Sequence, residues 1–170
     1  MKYLVFILLL VCSSASAMED GSVIFWHGGL LVGPIFRHTN SKITHVAIIL
    51  NEQGQDMVYE ATPPRVRRMP FNQYIQHLRE LERKPFWRER GFRYFILEPK
   101  KPYTSWELQR MRKYARSQLG RPYGLRGWVL NKEVKTIFCS QYISNIIEKS
   151  GRIKSYNFKE SPVSLYRKLR

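Results

Sequence analysis

The feature that most constrains this chain is a hairpin. Thr44 to Leu50 (Thr-His-Val-Ala-Ile-Ile-Leu) carries the strongest strand signal in the sequence, Asn51-Glu52-Gln53-Gly54 is a turn, and Met57 to Ala61 (Met-Val-Tyr-Glu-Ala) returns as a second strand. Side chains alternate between the faces of a strand, so the pairing register decides which of them meet. With an even loop, His45 and Glu60 lie opposite or diagonal on one face, within side-chain reach. An odd register sends them to opposite faces. A histidine with a carboxylate in reach is half of a catalytic arrangement, and the other half is a nucleophile.

The remaining elements surround that hairpin. Gly21 to Trp26 reads as a short buried strand closed by His27-Gly28-Gly29, and Leu30 to Asn40 as a loop without a clean period. Arg65 to Met69 is another strand ended by Pro70, followed by a short amphipathic helix over Phe71 to Leu81. Glu80 to Arg93 is a charged stretch with Phe86, Trp87 and Phe92 interleaved, and is expected to be a solvated basic loop with aromatic anchors. Phe92 to Leu97 follows as a strand. Thr104-Ser105-Trp106-Glu107 fits a capping box, with Tyr103 and Leu108 placed as a staple, and opens a helix ended by Gly120. Arg121 to Gly124 is a turn, and the tail from Ser155 to Arg170 is basic and weakly patterned.

The nucleophile candidate is Cys139. Tyr142, Ile143, Ile146 and Ile147 recur at one-face helical spacing after it, and Gly151 supplies the stop. The thiol therefore falls in the first turn of a helix, where unpaired N–H groups and the dipole favour negative charge and hence the thiolate. A lone cysteine at the start of an apolar helix is otherwise core filling.

Compartment sharpens the choice. Residues 1–17 read as a secretory signal, with Lys2, an apolar run from Leu4 to Cys12, and Ala15-Ser16-Ala17 as cleavage site. The apolar run is too short to span a bilayer, which takes about 20 residues. Residues 18–170 form one domain, exported to a periplasm or beyond the cell, with no transmembrane segment once the signal is gone. Cleavage removes Cys12 and leaves Cys139 alone, so no intramolecular disulfide forms, and an unpaired thiol in an oxidising compartment points to a reactive one. The formal net charge of +16 favours anionic surfaces, and export makes specific nucleic acid the least suitable of them. The histidines His27, His38, His45 and His77 form none of the paired spacings of a metal site, so neither metal nor other cofactor is expected.

His45, Glu60 and Cys139 together make an orienter, base and nucleophile set: the carboxylate fixes the imidazole, the imidazole takes the thiol proton, and the thiolate attacks a carbonyl. The chain also resembles a family. Gly21-Ser22-Val23-Ile24-Phe25, Thr44-His45-Val46-Ala47-Ile48, Val58-Tyr59-Glu60-Ala61, Leu119-Gly120-Arg121-Pro122-Tyr123 and Phe138-Cys139-Ser140-Gln141-Tyr142 follow, in order, the motifs of the circularly permuted NlpC/P60 group, in particular its YiiX-like hydrolases. The resemblance implies an α+β, papain-like fold, an antiparallel sheet or small barrel packed against helices, with the histidine strand ahead of the cysteine helix. It implies Cys139 as nucleophile, His45 as base, Glu60 as the third polar residue, and Tyr123 near the thiol. The sequence departs from the family pattern at Ser22, where an acidic residue is usual, and at Gly124, often an Asp.

The oxyanion donor would be the Cys139 N–H with a second group from Ser22, His27 or Tyr123. The function expected is cleavage of an amide bond in a cell-envelope peptide through an acyl-enzyme. The alternatives are a lipid acyltransferase or thioesterase using the same residues, with Leu30 to Phe36 taking the acyl chain, and a basic non-catalytic module binding anionic polymers.

Overall fold

The computed structural model describes residues 18–28, 41–126, 129, 134–154 and 160–170. The signal assigned to residues 1–17, the loop over Leu30 to Asn40 and the start of the tail, 155–159, lie outside them. The elements are β1 (Val23–His27), β2 (Ile43–Glu52), β3 (Gln55–Thr62), β4 (Arg65–Pro70), α1 (Phe71–Arg83), α2 (Pro85–Glu89), β5 (Arg93–Leu97), α3 (Ser105–Ser117), α4 (Cys139–Glu148) and α5 (Pro162–Leu169).

Five strands make one antiparallel sheet in the order β4-β3-β2-β1-β5. The β2–β3 hairpin closes through Gln53 and Gly54, both at positive φ (53° and 86°), as a two-residue turn matching strand twist requires. Gly54 tolerates that backbone; Gln53 accepts it at the tip.

The apolar run of β2 reflects a sheet covered on both sides. Val46, Ile48 and Leu50 join Phe25, Tyr59, Met111, Ile143, Ile147 and Leu165 in a core against α3, α4 and α5. Ala47 and Ile49 join Ile24, Val58, Tyr74, Leu78 and Phe92 on the opposite face, against α1. Helix α4 is the most buried helix: Tyr142, Ile143, Ile146 and Ile147 are fully enclosed, each such aliphatic side chain contributing about 1.5–3 kcal/mol by leaving water.

Two expectations are corrected. The charged stretch over Glu80 to Arg93 is not simply a solvated loop, because Lys84-Pro85 starts the short α2 and Phe92 is fully buried beneath α1. The tail is not unpatterned either. Ser161 and Ser164 form a reciprocal capping box with Pro162 at the first helical position, and the helix they open, α5, buries Leu165 against the sheet.

Candidate active site

Two irregularities of the sheet create the site. The β2–β3 ladder runs from Glu52↔Gln55 to Ile48↔Tyr59 and ends there, while β3 continues to pair with β4 as far as Thr62↔Arg65. Along β2, Trp26 faces His45 and His27 faces Ile43, so Thr44 is an extra residue, a bulge beside His45. Beyond the last paired residues, His45 and Glu60 sit diagonally on the same face, as the hairpin with the two-residue turn requires.

Their side chains meet. His45 Nε2 and Glu60 Oε2 are 2.7 Å apart, and both groups are buried. Glu60 is 1% exposed and is satisfied on both oxygens. Oε2 also accepts from the Tyr74 hydroxyl at 3.1 Å, and Oε1 accepts from Arg67 Nε and Nη2 at 2.8 and 2.7 Å. The indole of Trp26 lies over the imidazole, ring centroids 4.2 Å apart, and its Nε1–H donates to the Tyr74 oxygen at 3.1 Å. Tyr74 thus accepts from Trp26 and donates to Glu60, locking both neighbours of His45.

Helix α4 brings Cys139 to the other side of the imidazole. The thiol is buried and close enough for its charge to act on the imidazole; with Nε2 held by Glu60, Nδ1 is the nitrogen left to meet it. Cys139 belongs to the core on the α3–α4–α5 face, whereas Trp26 and Tyr74 pack on the α1 face, so the pair bridges the two layers. Burial alone would push the imidazole towards neutrality. The charge and hydrogen bond of Cys139, followed by the hydrogen bond and charge of Glu60, outweigh it and hold His45 up at about 9. Burial likewise opposes ionisation of Glu60, and His45 and Arg67 override it to keep the carboxyl below its ordinary value.

The start of α4 is open. Its N-cap is Phe138, with no side-chain cap and no acidic residue in the first turn, so the first-turn amides and the positive helix end remain for an incoming oxygen. The second strap is Pro122-Tyr123: Arg65↔Pro122 and Tyr123↔Ile137 are bridged, which draws the tyrosine to the segment ahead of Cys139. Burial, then the charge of Cys139, pushes the Tyr123 hydroxyl well above its ordinary value, so it stays protonated and able to donate.

Of the sequence candidates, the structure brings together His45, Glu60, Cys139 and Tyr123. It does not bring Ser22 and His27 to the group. Ser22 lies at the opposite end of β1 from the Trp26↔His45 pair and gives its hydroxyl to the Glu19 carbonyl, being buried there because the strand turns through Gly21. His27 falls on the other face from Trp26, edge-on to Phe95, as strand alternation dictates. At Gly124 a Cβ would press on the Thr136 side chain at 3.0 Å, which accounts for glycine where an Asp is common.

A family model described as "Permuted papain-like amidase enzyme, YaeF/YiiX, C92 family" matches residues 17–162. The chain belongs to this family. The family's description is that of permuted papain-like amidases. The NlpC/P60 group is a related clan, and the C92 amidases are the closer description. Among solved structures, the chain is similar to one described as metalloprotein yiiX from Escherichia coli O157:H7, with 18% identity and a TM-score of 0.60 over 78% of this chain and 66% of that one. That likeness shows the fold, and the chain spans just under two thirds of that protein. None of the curated proteins matches the sequence. Among the described residues no group of three or more His, Cys, Asp or Glu is placed to hold a metal ion.

Sequence reading missed Arg67, Tyr74 and Trp26, the residues that fix Glu60 and His45. Arg67 was findable, since it pairs with Glu60 across β3 and β4. Tyr74 carried no signal beyond the apolar face of α1.

Proposed function

We propose that the protein hydrolyses an amide bond through an acyl-enzyme on Cys139, with His45 as the proton carrier and Glu60 as its orienter. The observation that carries this is the buried His45 imidazole, joined to Glu60 at 2.7 Å on Nε2 and near enough to Cys139 for the sulfur's charge to raise it.

His45 takes the Cys139 proton on Nδ1 while its Nε2–H gives a hydrogen bond to Glu60. The thiolate attacks the substrate carbonyl carbon, and the developing oxyanion accepts from the Cys139 N–H, with the Tyr123 hydroxyl as the second donor. Collapse breaks the C–N bond as His45 passes its Nδ1 proton to the leaving amine, leaving a thioester. His45, now neutral, takes a proton from water; hydroxide adds to the thioester carbonyl, the C–S bond breaks, and a carboxylic acid leaves as the thiolate and imidazolium are restored. Glu60 stays ionised throughout and keeps the ring in one orientation.

A cell-envelope peptide is the proposed substrate, met after export. The net charge of +16, which suits an anionic envelope surface, and the signal-like residues 1–17 support that setting. The lipid alternative leans on Leu30 to Phe36, outside the described residues, and no described feature favours it.

Acyl-peptide p-nitroanilides and matched p-nitrophenyl esters test the reading. Turnover of an anilide by the wild type, reduced at least about 10³-fold in Cys139→Ala and His45→Ala, is the expected result. Amide turnover that survives Cys139→Ala refutes the mechanism, and esters turned over without any amide would move the substrate to the acyl-lipid class.

A further inference from the structure

We propose that the cleft between the free ends of β1 and β2 and helix α5 binds a phosphate group carried on an apolar body. The cleft encloses about 590 Å³. Lys42, Arg167 and Arg170 stand on its rim, His27 on its wall, and Phe95 and Tyr166 form its floor, the two rings 5.6 Å apart edge to face.

Charge is the first argument. None of the described residues lining the cleft is acidic, and no ion pair among the described residues uses Lys42, Arg167 or Arg170. The contrast lies within one helix. Lys168 turns inward to the buried Glu160, while its neighbours Arg167 and Arg170 face the cleft without a carboxylate. Three cations around a concave surface concentrate a positive potential. One carboxylate would leave two of them uncompensated; a phosphate monoester, with up to two negative charges and oxygens that match the guanidinium fork, leaves one. The aromatic floor with Ile43 and Val163 then takes the organic part of the ligand.

Position is the second argument. Ile43 precedes His45 by two residues on β2, about 7 Å along the strand. His27 adjoins Trp26, whose indole covers the imidazole. Helix α5 follows Glu160, whose carbonyl accepts from Ser140 Oγ, next to the thiol. The cleft thus shares its supporting segments with the active site and lies on the Cys139 side of the sheet. As a substrate subsite it rests on the hydrolase reading; as a phosphate site it does not.

Titration of the purified protein with hexyl phosphate by calorimetry, in wild type, Arg167→Gln/Arg170→Gln and Cys139→Ala, decides it. Saturable binding weakened at least tenfold in the double variant and unchanged in Cys139→Ala is expected. Equal affinity in the double variant, or no saturable binding at millimolar ligand, overturns the proposal. Both arginines are exposed, and an unchanged melting temperature verifies that the double variant is folded. Vesicles of phosphatidylglycerol separate the sources: vesicle binding lost in the double variant assigns a lipid headgroup, and hexyl phosphate binding without it assigns a soluble phosphorylated molecule. Either supports the site. Loss of amide turnover in Cys139→Ala with phosphate binding intact keeps the two readings separable.

Discussion

Glu60→Gln keeps the volume of the buried carboxylate and removes its charge. The carboxylate accepts on both oxygens, from His45 and Tyr74 on one and from Arg67 on the other. An amide has a single acceptor oxygen. Turned towards His45, it presents its NH₂ to Arg67. Arg67 is 42% exposed and can swing into water, but the amide hydrogens, in a side chain 1% exposed, cannot follow. A buried donor left without a partner costs about 1–3 kcal/mol. The lost charge has a second effect, on the imidazole. Burial lowers His45, and the charge and hydrogen bonding of Cys139 and then of Glu60 raise it to about 9, so removing the carboxylate's charge should move the imidazole's midpoint down from there. Because the folded His45 holds its proton more tightly than the unfolded one, its contribution to stability is complete below pH 6.5 and is lost as pH rises through about 9. The gap in unfolding free energy between wild type and variant should therefore narrow as pH rises from 6.5 through about 9. NMR titration of ring-labelled histidine reads this directly, with only four histidines in the sequence. A wild-type His45 midpoint below pH 7, or a midpoint that Glu60→Gln leaves in place, would refute the reasoning.

Two further substitutions probe the supports. Tyr74→Phe leaves the Trp26 Nε1–H without its acceptor and Glu60 without one donor, and should cost about 1–3 kcal/mol in urea unfolding; a change under about 0.5 kcal/mol would mean the bond to Trp26 contributes nothing net. Ser161→Ala removes the cap of α5 and should cost about 1 kcal/mol. An unaltered unfolding midpoint would show that α5 docks without its cap.

The hairpin was legible because its signals are local, a long apolar run, a Gly-containing turn and a return strand, but its register stayed open until the two-residue turn of the structure put His45 and Glu60 on one face. Cys139 was legible for the same reason, through the helical spacing of the four apolar residues behind it. What escaped depends on contacts remote in sequence. Tyr74 reaches Glu60 only because α1 lies across the sheet, and nothing in Phe71 to Arg83 distinguishes a hydroxyl in a network from one at the surface. Ser22 and His27 were candidates by proximity in sequence to a glycine and a strand end, and the strand's own length separates Ser22 from the thiol. Helix α5 hid behind its cations and behind a capping box with serine, in place of glutamate, at its third position.

The permuted order of these residues has a consequence for how the protein is made. The hairpin that carries His45 and Glu60 can close, with β4, as soon as the first part of the domain has emerged from the ribosome or the export channel. Cys139 comes later, and Glu160, whose carbonyl anchors the turn of helix beside it, later still. On the mechanism proposed above, a chain in the course of production holds the base without Cys139, and a product cut short before residue 139 would lack the proposed nucleophile.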